Sequence, residues 1–235
     1  MVETASEKRG CFRVILAPMD QDTHALFWSG DIETMFLGHQ LSEIYKERVY
    51  AQFLDDKKDL VILDIGANVG ATTYYFSRFA KQVISLEPSL EHFNILTQNI
   101  SFNNLKNVTP IMKALYIEDT TLPFFHNPNR TSYSLHTAIN DQSKPEQVQT
   151  VRLDTLLKDF SVEQVDFMKI DVEGSETEIF SSESFANVAD KIKIIVGEYH
   201  DWSGRHPNQL KDALEMHGYK FGWLQSDAKL FAATK

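Results

Sequence analysis

The sequence predicts an α/β fold in which a mostly parallel sheet of seven strands ends in an antiparallel β-hairpin. From residue 60 onwards, short apolar runs alternate with stretches of helical periodicity, which is typical of parallel strands joined by crossover helices. The runs are apolar at consecutive positions, as a sheet covered on both faces requires. Two further β-type runs near the C-terminus flank a short turn instead of a helix, which indicates the hairpin.

The strand predictions come from apolar runs bounded by turn signals. The five parallel strands are predicted at LVILDI, QVISLE, NVTPIM, VDFMKID and IKIIVGEY, and the hairpin at YKFGWL and KLFAAT. Helices are predicted after the first two strands, because apolar side chains recur there at helical spacing. These stripes comprise Val69, Thr72, Thr73, Phe76 and Phe79, then Leu90, Phe93, Leu96 and Ile100. Residues 116–150 lose the helical period and contain several prolines, so we predict an irregular or hairpin insertion.

Residues 1–59 are predicted to form a helical extension that packs on the sheet domain, residues 60–235. The segment LSEIYKERVYAQFL repeats apolar residues at helical spacing, which indicates an amphipathic helix. Aromatic and methionine side chains at residues 18–40, together with the insertion at 116–150, are candidates for a lid that selects the substrate. The alternative is that these side chains are ordinary core residues.

Composition and charge exclude several classes of protein. Acidic residues outnumber basic ones by 33 to 23, giving a net charge of -10, which argues against a nucleic-acid partner. No run approaches the roughly 18 apolar residues of a membrane helix, and we identify no signal peptide. The single cysteine, Cys11, permits no internal disulfide and fits a reducing compartment. We therefore expect a cytoplasmic protein without a membrane span.

The turn after the first parallel strand, DIGANVG, is the first candidate ligand site. In an open α/β sheet, ligands bind outside the carboxyl ends of the strands, where helix N-termini offer free N–H groups. Gly66 and Gly70 permit a sharp bend and a close approach to the backbone, although a tight turn alone would also explain them. The loop lacks the GxGxxG pattern of dinucleotide sites, which favours a nucleoside without a pyrophosphate, such as S-adenosylmethionine.

Glu87 follows the second parallel strand at the distance from Gly66 at which an acidic residue meets the ribose in dinucleotide-type folds. A carboxylate at this place accepts hydrogen bonds from both ribose hydroxyls. The alternative is a surface acid that begins the next turn. Together, the glycine turn and Glu87 predict a nucleoside site.

The fourth parallel strand ends in KIDVEGSETEIF, the most distinctive stretch of the chain. Lys169 and Asp171 alternate onto one face of the strand, and Asp171 lies at its tip. A lysine in a buried strand is either part of a structural ion pair or a site residue. Glu173 and Glu176 follow in the turn and the first helical turn, where they could simply complement the helix dipole.

The fifth parallel strand ends in EYHDW, which brings Glu198 and His200 to the same edge of the sheet as Asp171. A neighbouring carboxylate could hold His200 as a base near neutral pH, although a histidine after a strand is often an ordinary loop residue. Asp171, Glu198 and His200 could alternatively bind a divalent metal, but no spacing in the sequence dictates one.

The sequence resembles the FkbM-type S-adenosylmethionine-dependent methyltransferases. The resemblance runs from about residue 60 to about residue 200. Its stretches are VILDIGANVGATTYYFS, VISLEPSLEHFNILTQNI, VRLDTLL, VDFMKIDVEGSETEIF and the strand that ends in EYH. It implies a class I methyltransferase Rossmann-like fold, and O-methylation of a hydroxyl on a sugar, glycolipid or secondary metabolite.

The resemblance also implies roles for individual residues. Asp64, Gly66, Asn68 and Gly70 would surround the methionine end of S-adenosylmethionine, and Glu87 would hold its ribose. The adenine would lie along Lys113, Ala114 and Leu115, although this chain lacks the acidic residue that related proteins often have there. Asp171 would border the transferred methyl group. We hypothesise that His200 or Asp171 is the base, and that Lys169 and Glu198 fix charge and orientation around it.

Two other functions are compatible with these residues. A binding module could keep the nucleoside pocket without turnover, and an NAD-dependent oxidoreductase could place a pyrophosphate in the glycine turn. The expected partner is a small-molecule or glycan hydroxyl acceptor. A divalent metal is possible but is not predicted, and the sequence leaves the acceptor and the oligomeric state open.

Overall fold

The computed structural model of the chain describes residues 11–15, 24–28, 40–126, 133–135, 145–200, 204–225 and 229–235. Most of the candidate lid at residues 18–40 and most of the predicted hairpin turn lie outside these ranges. Within them, no helix has both the length and the apolar character needed to cross a membrane.

The strands alternate with short helices along the chain. In chain order the strands are β1 (Cys11–Ile15), β2 (His24–Trp28), β3 (Leu60–Ile65), β4 (Ala80–Leu86), β5 (Val108–Ile111), β6 (Ala114–Leu115), β7 (Thr121–His126), β8 (Tyr133–Ser134), β9 (Glu146–Val151), β10 (Phe167–Ile170), β11 (Ile194–Glu198), β12 (Lys220–Trp223) and β13 (Leu230–Thr234). The α-helices are α1 (Ala51–Leu54), α2 (Ala71–Ser77), α3 (Leu90–Phe102), α4 (Leu153–Asp159), α5 (Glu176–Phe180), α6 (Glu183–Ala186) and α7 (Pro207–Glu215).

The main sheet has seven strands in the order β12-β13-β11-β10-β3-β4-β5. The pairs from β11 through β5 are parallel, whereas β13 pairs antiparallel with both β11 and β12. The predicted parallel sheet and its C-terminal hairpin are therefore confirmed. Because β3 and β10 are adjacent at the centre, the loops that follow them diverge at one edge of the sheet and leave room for a ligand.

The central strands bury side chains on both faces, which explains their unbroken apolar character. Ile62 and Phe167 belong to the cluster on one face, which includes Tyr50 from the N-terminal region. Their neighbours Leu63 and Met168 belong to the cluster on the other face, where α4 to α7 pack. This alternation follows from the two-residue period of a strand.

The N-terminal region differs from the continuous helix predicted at LSEIYKERVYAQFL. A π-helical turn spans Ser42–Lys46, and α1 begins only at Ala51. The break lies at Arg48, whose backbone is left-handed with φ of 56°, a conformation that an α-helix cannot contain. The segment still buries its apolar face, since Leu41, Ile44 and Leu54 are in the core. Farther upstream, β1 and β2 form an antiparallel pair.

The predicted insertion contains a second, smaller sheet. Its strands have the order β6-β9-β7-β8, with β7 and β9 antiparallel. The β9 strand returns the chain to β6, with which it pairs in parallel. Phe124 and Val148 are buried between these strands together with Ala114. The insertion is thus joined to the main domain just after β5.

Candidate functional site

A cavity that is partly open to solvent, with about 620 Å³ of empty space, lies at the carboxyl ends of β3, β4 and β10. This edge of an open α/β sheet is where ligands bind. The polar side chains that line it are Asn68, Glu87, His92, Lys113, Asp171 and Glu173. The apolar part is formed by Ile65, Leu86, Pro88, Ala114, Leu115, Phe124, Leu135 and Val172. The cavity therefore has a carboxylate-rich side and an apolar side.

The glycine turn forms the floor of the cavity. Gly66, Asn68 and Gly70 all have left-handed backbones, with φ of 76°, 50° and 94°. The N–H groups of Gly66 and Ala67 donate to the Leu86 carbonyl, at 3.0 and 2.9 Å, which ties the turn to the end of β4. Three left-handed residues in five positions reverse the chain sharply between β3 and α2.

Gly66 is the position where the turn admits no other residue. A Cβ atom built there would lie 1.9 Å from the Asp171 carbonyl oxygen, because the loop after β10 passes directly over the turn. Gly66→Ala is therefore expected to lower the free energy of unfolding by about 3 kcal/mol, from left-handed strain and steric overlap together. The measurement is urea denaturation of the purified variant.

Gly218→Ala is the matched control for this prediction. Gly218 also has a left-handed backbone, with φ of 81°, but no atom lies within 4 Å of its added Cβ. Only the strain remains, so the expected loss is about 1 kcal/mol. Equal losses in the two variants would contradict the packing of the β10 loop against the turn.

Glu87 lies at the wall of the cavity and is only 5 % exposed. Its two carboxylate oxygens accept hydrogen bonds from the backbone N–H groups of Asn68 and Ser89, both at 2.9 Å. An ionised carboxylate has about four acceptor positions, so two stay open for further donors. Burial raises the pKa of Glu87 to about 7, against the effect of these N–H groups, which favour the ionised form.

Lys169 joins the two loops that form the floor. Its buried ammonium group donates to the Gly66 carbonyl at 2.7 Å and lies 3.4 Å from Asp171 Oδ2. Burial alone would lower the pKa of this group, but the carboxylates of Asp171 and Asp64 outweigh it and raise the pKa above its usual value. The structure therefore contains the ion pair that the sequence suggests for Lys169, and the ammonium group lies against the glycine turn.

His200 lies beside the cavity, enclosed by carboxylates. Its Nδ1 is 2.8 Å from Glu176 Oε1, and its Nε2 is 3.4 Å from Glu173 Oε2. Asp171 Oδ1 and Glu198 Oε1 are each 3.8 Å from the same Nε2. Burial opposes the charged form, but the hydrogen bond and charge of Glu176, with the other carboxylates, raise the pKa of His200 to about 10. These carboxylates therefore favour the protonated form of the imidazole.

The carboxylates around His200 also affect one another. Burial, together with the charge of Asp171, raises the pKa of Glu173 to about 8 and raises the pKa of Glu198 above its usual value. Glu176 is fully enclosed, and its Oε1 accepts from the backbone N–H groups of Val172 and Gly174. Besides complementing the helix dipole, Glu176 therefore fixes the imidazole ring.

The structure brings most of the predicted cofactor residues to the cavity. Gly66, Asn68, Glu87, Asp171 and the whole of 113–115 line it. Two predicted residues lie below the turn instead. Asp64 is completely buried, and its carboxylate accepts from the hydroxyls of Thr72 and Thr73. Gly70 begins α2, where an added Cβ would lie 2.7 Å from Leu96 Cδ1.

The predicted catalytic residues also divide into one that lines the cavity and three that do not. Asp171 lines the cavity, while Lys169, Glu198 and His200 form a layer behind it. The sequence predictions missed several lining residues. The sequence gives Glu173 no role in the site beyond the alternative of the helix dipole, and it does not identify His92, whose Nδ1 is 3.8 Å from Glu87 Oε1. The signal for His92 was its place in the first turn of the helix that follows Glu87.

A second group of polar residues connects the insertion to α5 and the chain after β11. Arg205 Nη2 donates to Glu178 Oε1 at 2.7 Å, and the Tyr116 hydroxyl donates to Glu178 Oε2 at 3.2 Å. Tyr116 directly follows Leu115, which lines the cavity. Nothing in the sequence pattern relates these three residues.

Comparison with known proteins identifies similar chains. Residues 64–221 match the methyltransferase FkbM domain. Methyltransferase sdnD of Sordaria araneosa is 24 % identical over 221 residues, covering 77 % of this chain and 85 % of that protein. Methyltransferase 1 of Beauveria bassiana is 27 % identical over 217 residues, covering 80 % of this chain and 85 % of that protein.

Two solved structures show the likeness in fold. The fibrillarin pre-rRNA processing protein of Methanococcus jannaschii has a TM-score of 0.52 at 14 % identity, covering 100 % of this chain and 97 % of that chain. Precorrin-6y C5,15-methyltransferase of Geobacter metallireducens has a TM-score of 0.51 at 16 % identity, covering 80 % and 87 %. At such identities the likeness concerns the fold alone, and it confirms the predicted class I methyltransferase architecture.

Proposed function

The chain belongs to the FkbM methyltransferase family, and we propose that it transfers a methyl group from S-adenosylmethionine to a hydroxyl oxygen of a sugar, glycolipid or secondary metabolite. The observation that carries the proposal is the buried carboxylate of Glu87, which keeps two acceptor positions open in the cavity beside the glycine turn. A ribose diol offers two hydroxyl donors at the spacing of one carboxylate.

The rest of the cavity supports the same cofactor. Leu115, Phe124 and Leu135 supply an apolar wall for the adenine ring on the side of the insertion. On the opposite side, Asp171 and Glu173 supply negative charge for a sulfonium and an ammonium group. The left-handed turn at Gly66 and Asn68 lets the methionine end approach the backbone.

The proposed domain organisation follows from this assignment. Residues 60–235 would form the cofactor-binding domain, with residues 1–59 as an extension packed on it. Selection of the acceptor by residues 18–40 together with the insertion at 116–150 stays a prediction from the sequence. A cytoplasmic location stays a prediction from the single cysteine.

S-adenosylmethionine supplies a methyl group on a positively charged sulfur, which is already reactive toward an aligned oxygen. The protein has to align the acceptor hydroxyl and receive its proton. Of the two residues hypothesised as the base, Asp171 is favoured because it lines the cavity, whereas the His200 ring is 4 % exposed and lies behind it. Lys169 and Glu198 would fix the charge and orientation of Asp171.

The experiment that tests the proposal combines calorimetry with product analysis. We expect the purified protein to bind S-adenosylmethionine and S-adenosylhomocysteine at one site, and not to bind NAD. With a panel of hydroxyl compounds, we expect S-adenosylhomocysteine and one O-methylated product by mass spectrometry and NMR. In the calorimetry, tight binding of NAD without binding of S-adenosylmethionine would favour an oxidoreductase. Binding without turnover across the panel would favour a nucleoside-binding module, and an N-methylated product would exclude the hydroxyl acceptor.

A further inference from the structure

Three potential metal ligands converge behind the cavity. One ligand atom from each of Asp171, Glu198 and His200 lies within 4.8 Å of the others. Two of the separations, from His200 Nε2 to Asp171 Oδ1 and to Glu198 Oε1, are 3.8 Å. Neighbouring ligands of an octahedral divalent cation are about 3 Å apart, so each atom would have to move by less than about 1 Å. The three residues come from the ends of two adjacent strands, which hold them in register.

The orientation of His200 suits a metal ligand. The ring is buried, and the contact of Nδ1 with Glu176 Oε1 at 2.8 Å turns Nε2 toward the other two residues. Histidines that bind metals characteristically use one nitrogen for the metal and give the other to a carboxylate or carbonyl oxygen. Glu176 is itself held by two backbone N–H groups, so the ring direction is fixed from outside the three ligands.

The hydrogen bonding of Asp171, one of the three ligands, adds to this geometry. Its Oδ1 atom is closed off from solvent, and no hydrogen-bond donor reaches it among the residues that the structure describes. The other oxygen, Oδ2, is the one beside Lys169. A buried carboxylate oxygen without a donor is costly unless a positive charge is supplied. This oxygen is the one that faces His200 Nε2.

The charged groups around His200 also favour a bound cation. Four carboxylates surround this place, those of Asp171, Glu173, Glu176 and Glu198. The cationic groups that face them are the ammonium of Lys169 and the imidazole of His200. Among the described residues named here, carboxylate groups thus outnumber cationic groups, which favours the binding of a cation.

We propose that Asp171 Oδ1, Glu198 and His200 Nε2 bind one divalent cation, which in turn binds the acceptor hydroxyl. Two carboxylates and one imidazole suit Mn²⁺ and similar borderline-hard cations and leave coordination positions open. The cation replaces the proton on Nε2, because imidazole binds metals in its neutral form. This inference rests on the proposed function and specifies how the acceptor is activated.

The reaction balances without an oxidant or reductant. The cation would lower the pKa of the bound hydroxyl and, through its charge, the pKa of the nearby Glu173 carboxyl group, so that the ionised Glu173 would accept the hydroxyl proton. The oxygen then forms a bond to the methyl carbon as the carbon–sulfur bond breaks, and the electron pair stays on sulfur. Asp171 would thus act on the acceptor through the cation.

The test is a titration of metal-free protein with Mn²⁺, followed by electron paramagnetic resonance and by calorimetry, without any acceptor. We expect one Mn²⁺ per chain. Glu198→Gln and His200→Asn are each expected to weaken binding at least about tenfold, while Glu163→Gln, which removes a carboxylate from a 91 % exposed side chain, leaves it unchanged. Absence of stoichiometric binding at millimolar Mn²⁺, or binding that both site variants retain, would overturn the proposal.

Methylation assays on the same purified protein distinguish this inference from the proposed function. If Mn²⁺ binds at the site but no hydroxyl compound is methylated, the cation site is supported and its proposed role in activating the acceptor is not. Methylation that continues undiminished in excess EDTA would overturn the cation proposal and leave the methyltransferase assignment intact. Methylation that stops in EDTA and returns with Mn²⁺ in the wild type, but not in Glu198→Gln, would support both.

Discussion

Glu87→Gln is expected to weaken binding of S-adenosylmethionine roughly 10²-fold at pH 8. The variant keeps the volume of the side chain but replaces a charged acceptor of two ribose hydrogen bonds with a neutral amide. Hydrogen bonds to a charged group contribute about 1.5–3 kcal/mol each, and 1.4 kcal/mol corresponds to a factor of ten in Kd. The measurement is isothermal titration calorimetry on variant protein whose fold has been checked by circular dichroism.

Glu91→Gln is the matched control, because Glu91 lies on the exposed side of the same helix, α3. We expect its Kd to be that of the wild type. A Glu87→Gln protein that folds and binds the cofactor within threefold of the wild type would show that the ribose does not bind at this carboxylate.

The same residue predicts a pH dependence of cofactor binding. The pKa of Glu87 in the folded protein is raised to about 7 by burial, so the carboxyl group is increasingly protonated below this pH. The two ribose hydroxyls can both donate hydrogen bonds only to the ionised form of the Glu87 carboxyl group. The Kd of the wild type should therefore be constant above about pH 8 and rise toward tenfold per unit as the pH falls below 7. Glu87→Gln should lack this rise, and an equal rise in both proteins would assign it to another group.

The fold could be predicted closely because its signals are local. The seven main strands lie within a few residues of the predicted runs, since each run is rich in apolar residues and is bounded by turn signals. The break at Arg48 could not be predicted in this way. The apolar period continues across it, and only the packing of Leu41 and Leu54 into one cluster shows that the chain must bend there.

Site residues could be predicted where they directly follow the end of a strand. They were harder to predict where their environment depends on the packing of several elements. The end of β4 places Glu87, and the end of β10 places Asp171, so the sequence order alone brings both to one edge. The environment of His200 depends on Glu176, a helix residue whose direction no strand pattern specifies. For that reason the sequence suggests a base near neutral pH, whereas the carboxylates that enclose the ring raise the pKa of His200 to about 10.

Asp171→Asn is expected to lower kcat for methyl transfer by about 10²-fold to 10⁴-fold, the range that a positioned proton acceptor or its equivalent contributes. Asp171 is the one residue of the predicted catalytic set that lines the cavity, and the change removes its charge while keeping its shape. Cofactor affinity should fall less than in Glu87→Gln, because the ribose and adenine contacts lie at β4 and the insertion, and only the charge that Asp171 offers to the sulfonium and ammonium groups is lost. The measurement is steady-state formation of S-adenosylhomocysteine with a true acceptor.

Asp212→Asn is the matched control, because Asp212 is exposed on α7, and this variant should keep full activity. An Asp171→Asn enzyme that retains more than about a third of wild-type kcat would place the chemical step elsewhere in the cavity, beyond the loop that follows β10.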